Sequence, residues 1–589
     1  MRQIVDPRQN RLFDPFHGLF APLAQRVLAE GWQAVFRHVV LELLPVSEMA
    51  EHFHPTIGAP TKELYSMAGL VFLADFQDWT AAEAAEAYMF RTDVQYALNL
   101  EPGAEVSSRT VERYQRLFRE DELAGDVFEA VTRTLAEKLE LDVAKQRLDS
   151  THLFSHMATF GRTKLLAVAV KRFLTQVKRH APDDYAALPE DFRRRYEPSQ
   201  AQLFSGVKHA ESRERSRQQA AEDLLWVIER FANRPGFAGR STYQALVTIF
   251  HEQCEMAGGQ VTVRQKTGGD VTQNPSDPDA TYDGHKGPGY QVQISETCSD
   301  ANDVQLLTAA LPQTACAYDG DAVVPMLDQL ERSGLLPEAL TADGHYGRDE
   351  NVQAAEARGV ELVAPVAGRA PAPQTPDALT IDDFAIDERT GKVEACPAGH
   401  VPLSVAQETL PHDDGQTTTT TRVEMPAAAC AGCPFFPQCP IDRTRAGRYF
   451  AQFTDQQQRT AARRREQDTD AFRERYAKRS GIESTNSGLK NRLGLGRLRV
   501  RGTGAVFRVV LLKLAGWNVL RAAAAGKLRA WIAQQIARAL GGRDPAHSGQ
   551  SSGQFARFLD HVRNVFPHPC RNPTNACRNP SNVASLCSV

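Results

Sequence analysis

Asp149, Asp343 and Glu483 lie in settings from which carboxylates could do metal-assisted chemistry. Asp149 falls in Arg147-Leu148-Asp149-Ser150-Thr151-His152, where a strand-like run from Ala144 to Thr151 meets small polar residues, and the strand is expected to end at the acid. Asp343 follows Ala339-Leu340-Thr341-Ala342 and precedes Gly344-His345-Tyr346-Gly347. Those glycines permit a sharp exit that leaves the carboxylate at the strand tip. Glu483 is expected inside one long basic helix. Phosphodiester cleavage by water or a sugar hydroxyl is an in-line displacement, and two Mg²⁺ ions about 3.5–4 Å apart can activate the nucleophile and stabilise the leaving oxygen. Mg²⁺ takes oxygen ligands and keeps several waters, so a few carboxylates on separate elements suffice. Taken singly, each acid has a plainer reading: Asp-Ser-Thr caps helices, Asp-Gly makes turns, and a helical Glu is solvated.

The surroundings of Glu483 are more specific. Tyr476, Arg479, Glu483 and Lys490 are spaced Tyr-x2-Arg-x3-Glu-x6-Lys. Separations of four and seven put Arg479, Glu483 and Lys490 near one face of a continuous helix. This pattern resembles the signature of the Asp-Asp-Glu (DDE) transposases of bacterial insertion sequences. Leu148-Asp149-Ser150-Thr151 and Ala342-Asp343-Gly344-His345-Tyr346-Gly347 are similar to that family's two Asp blocks. Asn274 to Ala280 with Gly287-Pro-Gly-Tyr290 is similar to the segment between them, and Leu495 to Gly502 to the basic stretch after the Glu. The resemblance covers roughly residues 50 to 525. It implies an α/β chain with an RNase H-like mixed-sheet catalytic core and two Mg²⁺ (or Mn²⁺) ions on Asp149, Asp343 and Glu483. It also implies Tyr476, Arg479, Lys490, Arg497, Arg499 and Arg501 facing DNA. The activity implied is cleavage and strand transfer of double-stranded DNA, on terminal inverted repeats and a target, by a homodimer in the DNA complex.

Elements able to position these residues can be read from periodicity. Residues from about 16 to 140 are helical, with Ser108 expected to cap a helix through Val111, Tyr114, Leu117 and Phe118. Alternation marks strands at Gln260–Arg264 and Tyr290–Ile294, and helix and strand then alternate to Pro365 in short connections, as α/β folds do. The expected divisions are a helical N-terminal, DNA-end-binding domain at 1–140 and the first part of the catalytic core at 141–365, with a helical insertion at about 165–256. A Cys-rich insertion at 366–455, core helices at 456–540 carrying Glu483, and a disordered Gly-, Ser-, Asn- and Pro-rich tail at 541–589 complete the chain.

Within the Cys-rich insertion, Cys430-x2-Cys433 has the spacing of half a tetrahedral zinc site. Cys396 and Cys439 would supply the other half, with His400 as an alternative ligand; free thiols in a loop are the plainer reading. Between Arg459 and Arg508 there are 14 Lys or Arg against five Asp or Glu. Such a run is either a solvated face or a phosphate-binding surface, and its arginines favour the latter. A net charge of -4 argues against a chain that coats nucleic acid nonspecifically. No secretory signal or run of about 20 apolar residues is expected, so a cytoplasmic, nucleoid-associated location follows by default. No Gly-x-Ser-x-Gly elbow or Gly-x4-Gly-Lys-Ser/Thr loop occurs, against a serine hydrolase and a P-loop NTPase. Two alternatives to a transposase stay open: a nuclease on the same scaffold that never joins, and a catalytically inactive, transposase-derived DNA-binding protein.

Overall fold

A mixed six-stranded sheet lies at the centre of the computed structural model, which describes residues 1–7, 16, 19–101, 103–205, 209–367, 378–387, 392–411 and 417–539. Five of its strands are β1 (Lys145–Leu153), β2 (Gly287–Thr297), β3 (Leu307–Thr314), β4 (Ala339–Thr341) and β5 (Glu361–Val363), in the order β3-β2-β1-β4-β5. The sixth, Thr281–Asp283, pairs with the start of β2. β2 runs antiparallel to β1 and β3, whereas β1, β4 and β5 are mutually parallel. Helix α1 (Leu64–Phe76) packs on α7 (Thr503–Ala524), and around the sheet lie α2 (Ala124–Leu139), α3 (Val323–Arg332), α4 (Asp349–Glu356), α5 (Asp470–Ala477), α6 (Gly481–Arg492) and α7 itself. This mixed α/β arrangement is compatible with an RNase H-like core.

Strand parity decides which β1 residues meet the core. Alternate side chains point to opposite faces. Leu148 therefore joins Leu340, Leu362 and the α3–α4 side chains Met326, Leu327, Leu330, Val352 and Ala355 in one apolar cluster. Arg147 and Asp149 face the other way. β1 also runs on to Leu153, so Asp149 sits mid-strand and not at its end. β2 is buried from Gly289 to Thr297 on both faces, although alternation with Gln291 and Gln293 reads as half-exposed. β3 is not visible in the sequence because Pro312 and a weak pattern hide it; an edge strand tolerates such a proline.

The alternating stretch at Gln260–Val263 forms a two-stranded hairpin with Cys254–Ala257, outside the central sheet. Between β1 and that hairpin, helices Arg162–His180, Ala210–Phe231 and Ser241–Gln253 enclose a core of their own, in which Phe173 packs on Phe231, Phe237 and Tyr243. Past β5, strands Ser404–Pro411, Thr417–Met425, Asp442–Arg443 and Tyr449–Thr454 make a second sheet. The threonine run suits a strand because branched side chains pack well on a pleated surface.

α7 packs against α1, α2 and β3. It is the one helix among the described residues long and apolar enough to cross a membrane, which the sequence reading did not anticipate. An 18-residue stretch of it is 67% buried, and two of its charges are paired inside the protein: Arg508 with Asp75, and Lys513 with Asp78 and the Leu493 carbonyl. Asn518 both donates to and accepts from the Leu307 backbone. α7 is thus a core helix that ties the N-terminal helices to the sheet. The helix Ser108–Glu120 is capped by Ser107, one residue before the expected cap. Contacts divide the chain into Met1–Ile532 and Ala533–Val589. Of the second unit only the end of helix Gly526–Ala539 is described, and the tail expected to be disordered, 541–589, lies outside the described residues.

Candidate active site

The β1–β4 register brings two distant acids level. Arg147 pairs with Thr341 across these parallel strands. Two residues further along each chain stand Asp149 and Asp343, neighbours at the same height although far apart in sequence. Asp343 turns just past β4, its Oδ1 accepting from the His345 amide at 2.8 Å, as Asp does at turns. The glycines after it act differently from the expectation. Neither Gly344 nor Gly347 has positive φ. Gly347 instead lies so close to the Pro365 carbonyl that a Cβ would come within 1.8 Å of its oxygen.

Glu483 reaches the same place by another route. The expected long helix is broken into α5, a 3-10 turn Lys478–Ser480 and α6, so Tyr476, Arg479 and Glu483 stand on three successive segments. Gly481 opens α6 because Arg147 passes there: a Cβ would lie 1.8 Å from its Nη1. Gly488, similarly, lets Trp517 approach. The glycines that weaken the helix by propensity are thus required for its docking. Arg147 donates to Glu296 Oε2 at 2.6 Å and to the Lys478 carbonyl at 3.2 Å, and Thr485 of α6 donates to Glu296 Oε1 at 2.7 Å. This nearly buried ion pair fastens α6 to β1 and β2, with Glu483 on its first turn.

The three acids converge on one guanidinium. Arg479 Nη2 lies 3.3 Å from Asp149 and 3.8 Å from Asp343, and its Nη1 lies 3.5 Å from Glu483. Asn486 Nδ2 donates to the other Asp149 oxygen at 3.2 Å. Burial, reinforced by the charges of Asp343 and Asp319, pushes the Asp149 carboxyl above its usual range; Arg479 and a backbone amide oppose this. Burial works against the charge of Arg479, yet Asp149, the Tyr476 hydroxyl, Asp343 and Glu483 outweigh it and raise its pKa. Tyr476 stacks on Phe472 beside this cluster. Glu483 is the most exposed of the three acids, at 68%.

Sequence reasoning missed several neighbours. Asp319 accepts from Ser150 Oγ at 3.1 Å and from Gln293 Nε2 at 2.8 Å, and Tyr346 donates to Gln293. Asp319 sits in a short loop helix with no motif around it, and Gln293 looked like the wet side of a half-exposed strand. Of the residues expected at DNA, Lys490 has its ammonium pulled below its usual range by burial and by Lys286, with nearby Asp149 opposing. Arg497 lies beside Phe154 in an isolated bridge. Arg499 is taken up by Asp78 and Glu83 at 3.2 and 2.9 Å. Arg501 is exposed on the turn before α7.

In the Cys-rich segment, Cys396, Cys430, Cys433 and Cys439 line one small cavity together with His400. Its free volume is ≈ 10 Å³, room for about one water-sized sphere. Burial raises the Cys439 thiol to about 11, and the other three cysteines add to the shift. Cys254 and Cys298 are buried, and Cys316 is half-buried. Among the described residues, no three His, Cys, Asp or Glu side chains stand close enough together to hold a metal ion as they are.

A family model described as "Transposase DDE domain" matches residues 395–523. The match supports a DDE transposase relationship and the activity and DNA substrate that go with it. It spans less than half of the chain, including the four cysteines, Tyr476, Arg479, Glu483 and Lys490, whereas Asp149 and Asp343 lie outside it. No curated protein and no solved structure matches.

Proposed function

We propose that this chain is a DDE transposase of a bacterial insertion sequence, in which Asp149, Asp343 and Glu483 serve metal-dependent cleavage and strand transfer of the element's ends. The observation that carries this reading is the convergence of the three acids on Arg479, from β1, from the turn after β4 and from α6. Carboxylates held this close repel one another unless a cation lies between them. The donors are all oxygen, which suits Mg²⁺ or Mn²⁺, and the buried Asn486 Oδ1 beside Asp149 has no hydrogen-bond partner. When bound, two such ions would supply nucleophile activation and leaving-group stabilisation. Arg479, whose planar fork matches phosphate geometry, would be the group that meets a DNA phosphate beside the acids. The Arg147–Glu296–Thr485 linkage keeps α6, and with it Glu483, beside the middle of β1. Two element ends must be held together, which a homodimer on double-stranded DNA does.

The test uses purified full-length protein with duplexes copied from the genomic DNA flanking the reading frame, in Mg²⁺ or Mn²⁺. Strand cleavage at the ends of inverted repeats, followed by joining to a target plasmid, is expected. Cleavage without joining would make the chain a nuclease, and binding without either would make it a transposase-derived DNA-binding protein.

The proposal extends to a structural zinc on Cys396, Cys430, Cys433 and Cys439. Burial raises the Cys430 and Cys439 thiols and the neighbouring cysteines add to both shifts, a cost that a bound cation would reverse. Zinc would tie Cys396 and Cys439 to the Cys430–Cys433 turn, next to the segment's own apolar core of Phe384, Val423, Met425 and Phe453. Protein purified with its thiols reduced should carry close to one zinc per chain by elemental analysis. A chain free of zinc under those conditions removes the site, and Cys433→Ser should lower the zinc content if it is real.

A further inference from the structure

Lys286 occupies the turn of a hairpin whose position is tightly constrained. Thr281–Asp283 pairs with Gly287–Gly289, leaving Gly284, His285 and Lys286 as the turn. Asp283 Oδ1 accepts from the backbone amides of both His285 and Lys286, at 2.7 and 2.6 Å. Such an acceptor fixes the turn's conformation. The strand that leaves it lies directly on the end of β1. Gly289 has φ +146, and a Cβ there would come within 2.1 Å of the Leu153 carbonyl oxygen. This close approach carries the turn to the candidate site, where Lys286 Nζ donates to Ser150 Oγ at 3.3 Å. Ser150 is the residue after Asp149.

A second ammonium meets it there. Lys490, on the last turns of α6, packs its stem on Gly496, whose carbonyl accepts from the Phe154 amide at the end of β1. Partial burial and the charge of Lys286 pull the Lys490 ammonium below its usual range, with Asp149 opposing. Among the described residues, neither lysine has a carboxylate within 4.0 Å, whereas Lys478 and Lys513 each have one at 2.6 and 2.9 Å. Two like charges near each other, neither in an ion pair, repel, and an anion between them relieves that repulsion.

We propose that Lys286 is a DNA-binding residue, which together with Lys490 holds a backbone phosphate next to Asp149. The inference rests on the transposase reading and adds to it a contact from the hairpin before β2. Its role is positioning: the phosphate held there fixes where the neighbouring phosphodiester lies relative to the acids. An ammonium on a flexible stem suits a phosphate as a point charge, without base readout.

The test is fluorescence anisotropy with two labelled duplexes, one copied from the flanking inverted repeat and one of unrelated sequence. Both are titrated over a series of NaCl concentrations with the Glu483→Gln protein, so that no cleavage intervenes. Lys286→Ala in that background should weaken both duplexes by a similar factor. It should also flatten the slope of log affinity against log salt by about 0.9, the loss of one phosphate contact. Lys286→Arg should keep the parental slope, because the charge remains, which a purely structural role of the lysine stem would not predict. An unchanged slope in Lys286→Ala overturns the inference while leaving the transposase reading standing. Failure of the parent to bind either duplex overturns both.

Discussion

Glu483→Gln is expected to cleave terminal DNA at least about a thousand-fold more slowly than the parent, while binding that DNA nearly as well. Metal-assisted charge stabilisation contributes several kcal/mol to such a reaction, and each 1.4 kcal/mol or so is a factor of ten in rate. Glutamine keeps the size of the side chain but removes the negative charge that would hold a divalent cation. The fold should barely notice. Glu483 is 68% exposed, and its partner Arg479 retains Asp149 and Asp343 at 3.3 and 3.8 Å, so stability should change by no more than about 0.5 kcal/mol. Binding measured by anisotropy and cleavage measured on a denaturing gel separate the two effects. A variant that cuts as fast as the parent removes Glu483 from the chemistry.

The largest expected effect on stability lies far from that site. Asp75→Asn should destabilise the protein by about 3–5 kcal/mol, because it leaves a buried arginine without its counter-charge. Asp75 and Arg508 are 5% and 7% exposed, with Arg508 Nε 2.8 Å from Asp75 Oδ2 and Nη2 3.1 Å from Oδ1. Arg508 also donates to the Gln115 carbonyl, so one guanidinium joins α7 to α1 and to the helix Ser108–Glu120. Chemical denaturation monitored by tryptophan fluorescence reads the loss as a lower midpoint. Replacing both partners, Asp75→Leu with Arg508→Met, should recover much of it, since an apolar pair of similar volume often equals a buried ion pair. If Asp75→Asn unfolds at the parental midpoint, the pair does not hold these helices together.

The sequence determined the local chemistry. It marked Asp149 and Asp343 as acids beside strand-like runs, placed Glu483 in a basic helical stretch with Tyr476, Arg479 and Lys490 at fixed spacing, and grouped four cysteines within one segment. Periodicity also sufficed for most helices, because an amphipathic pattern is a property of neighbours in the chain. What depends on pairing between distant segments was not legible. The β1–β4 register sets Asp149 level with Asp343, and the Arg147–Glu296 pair, with the close passage past Gly481, breaks the expected helix and aims Glu483. Asp319, Gln293 and Lys286 carry no local signature, because each matters only through a partner reached across the sheet. Composition along the chain names what a side chain can do, whereas packing alone decides which charges must share a site.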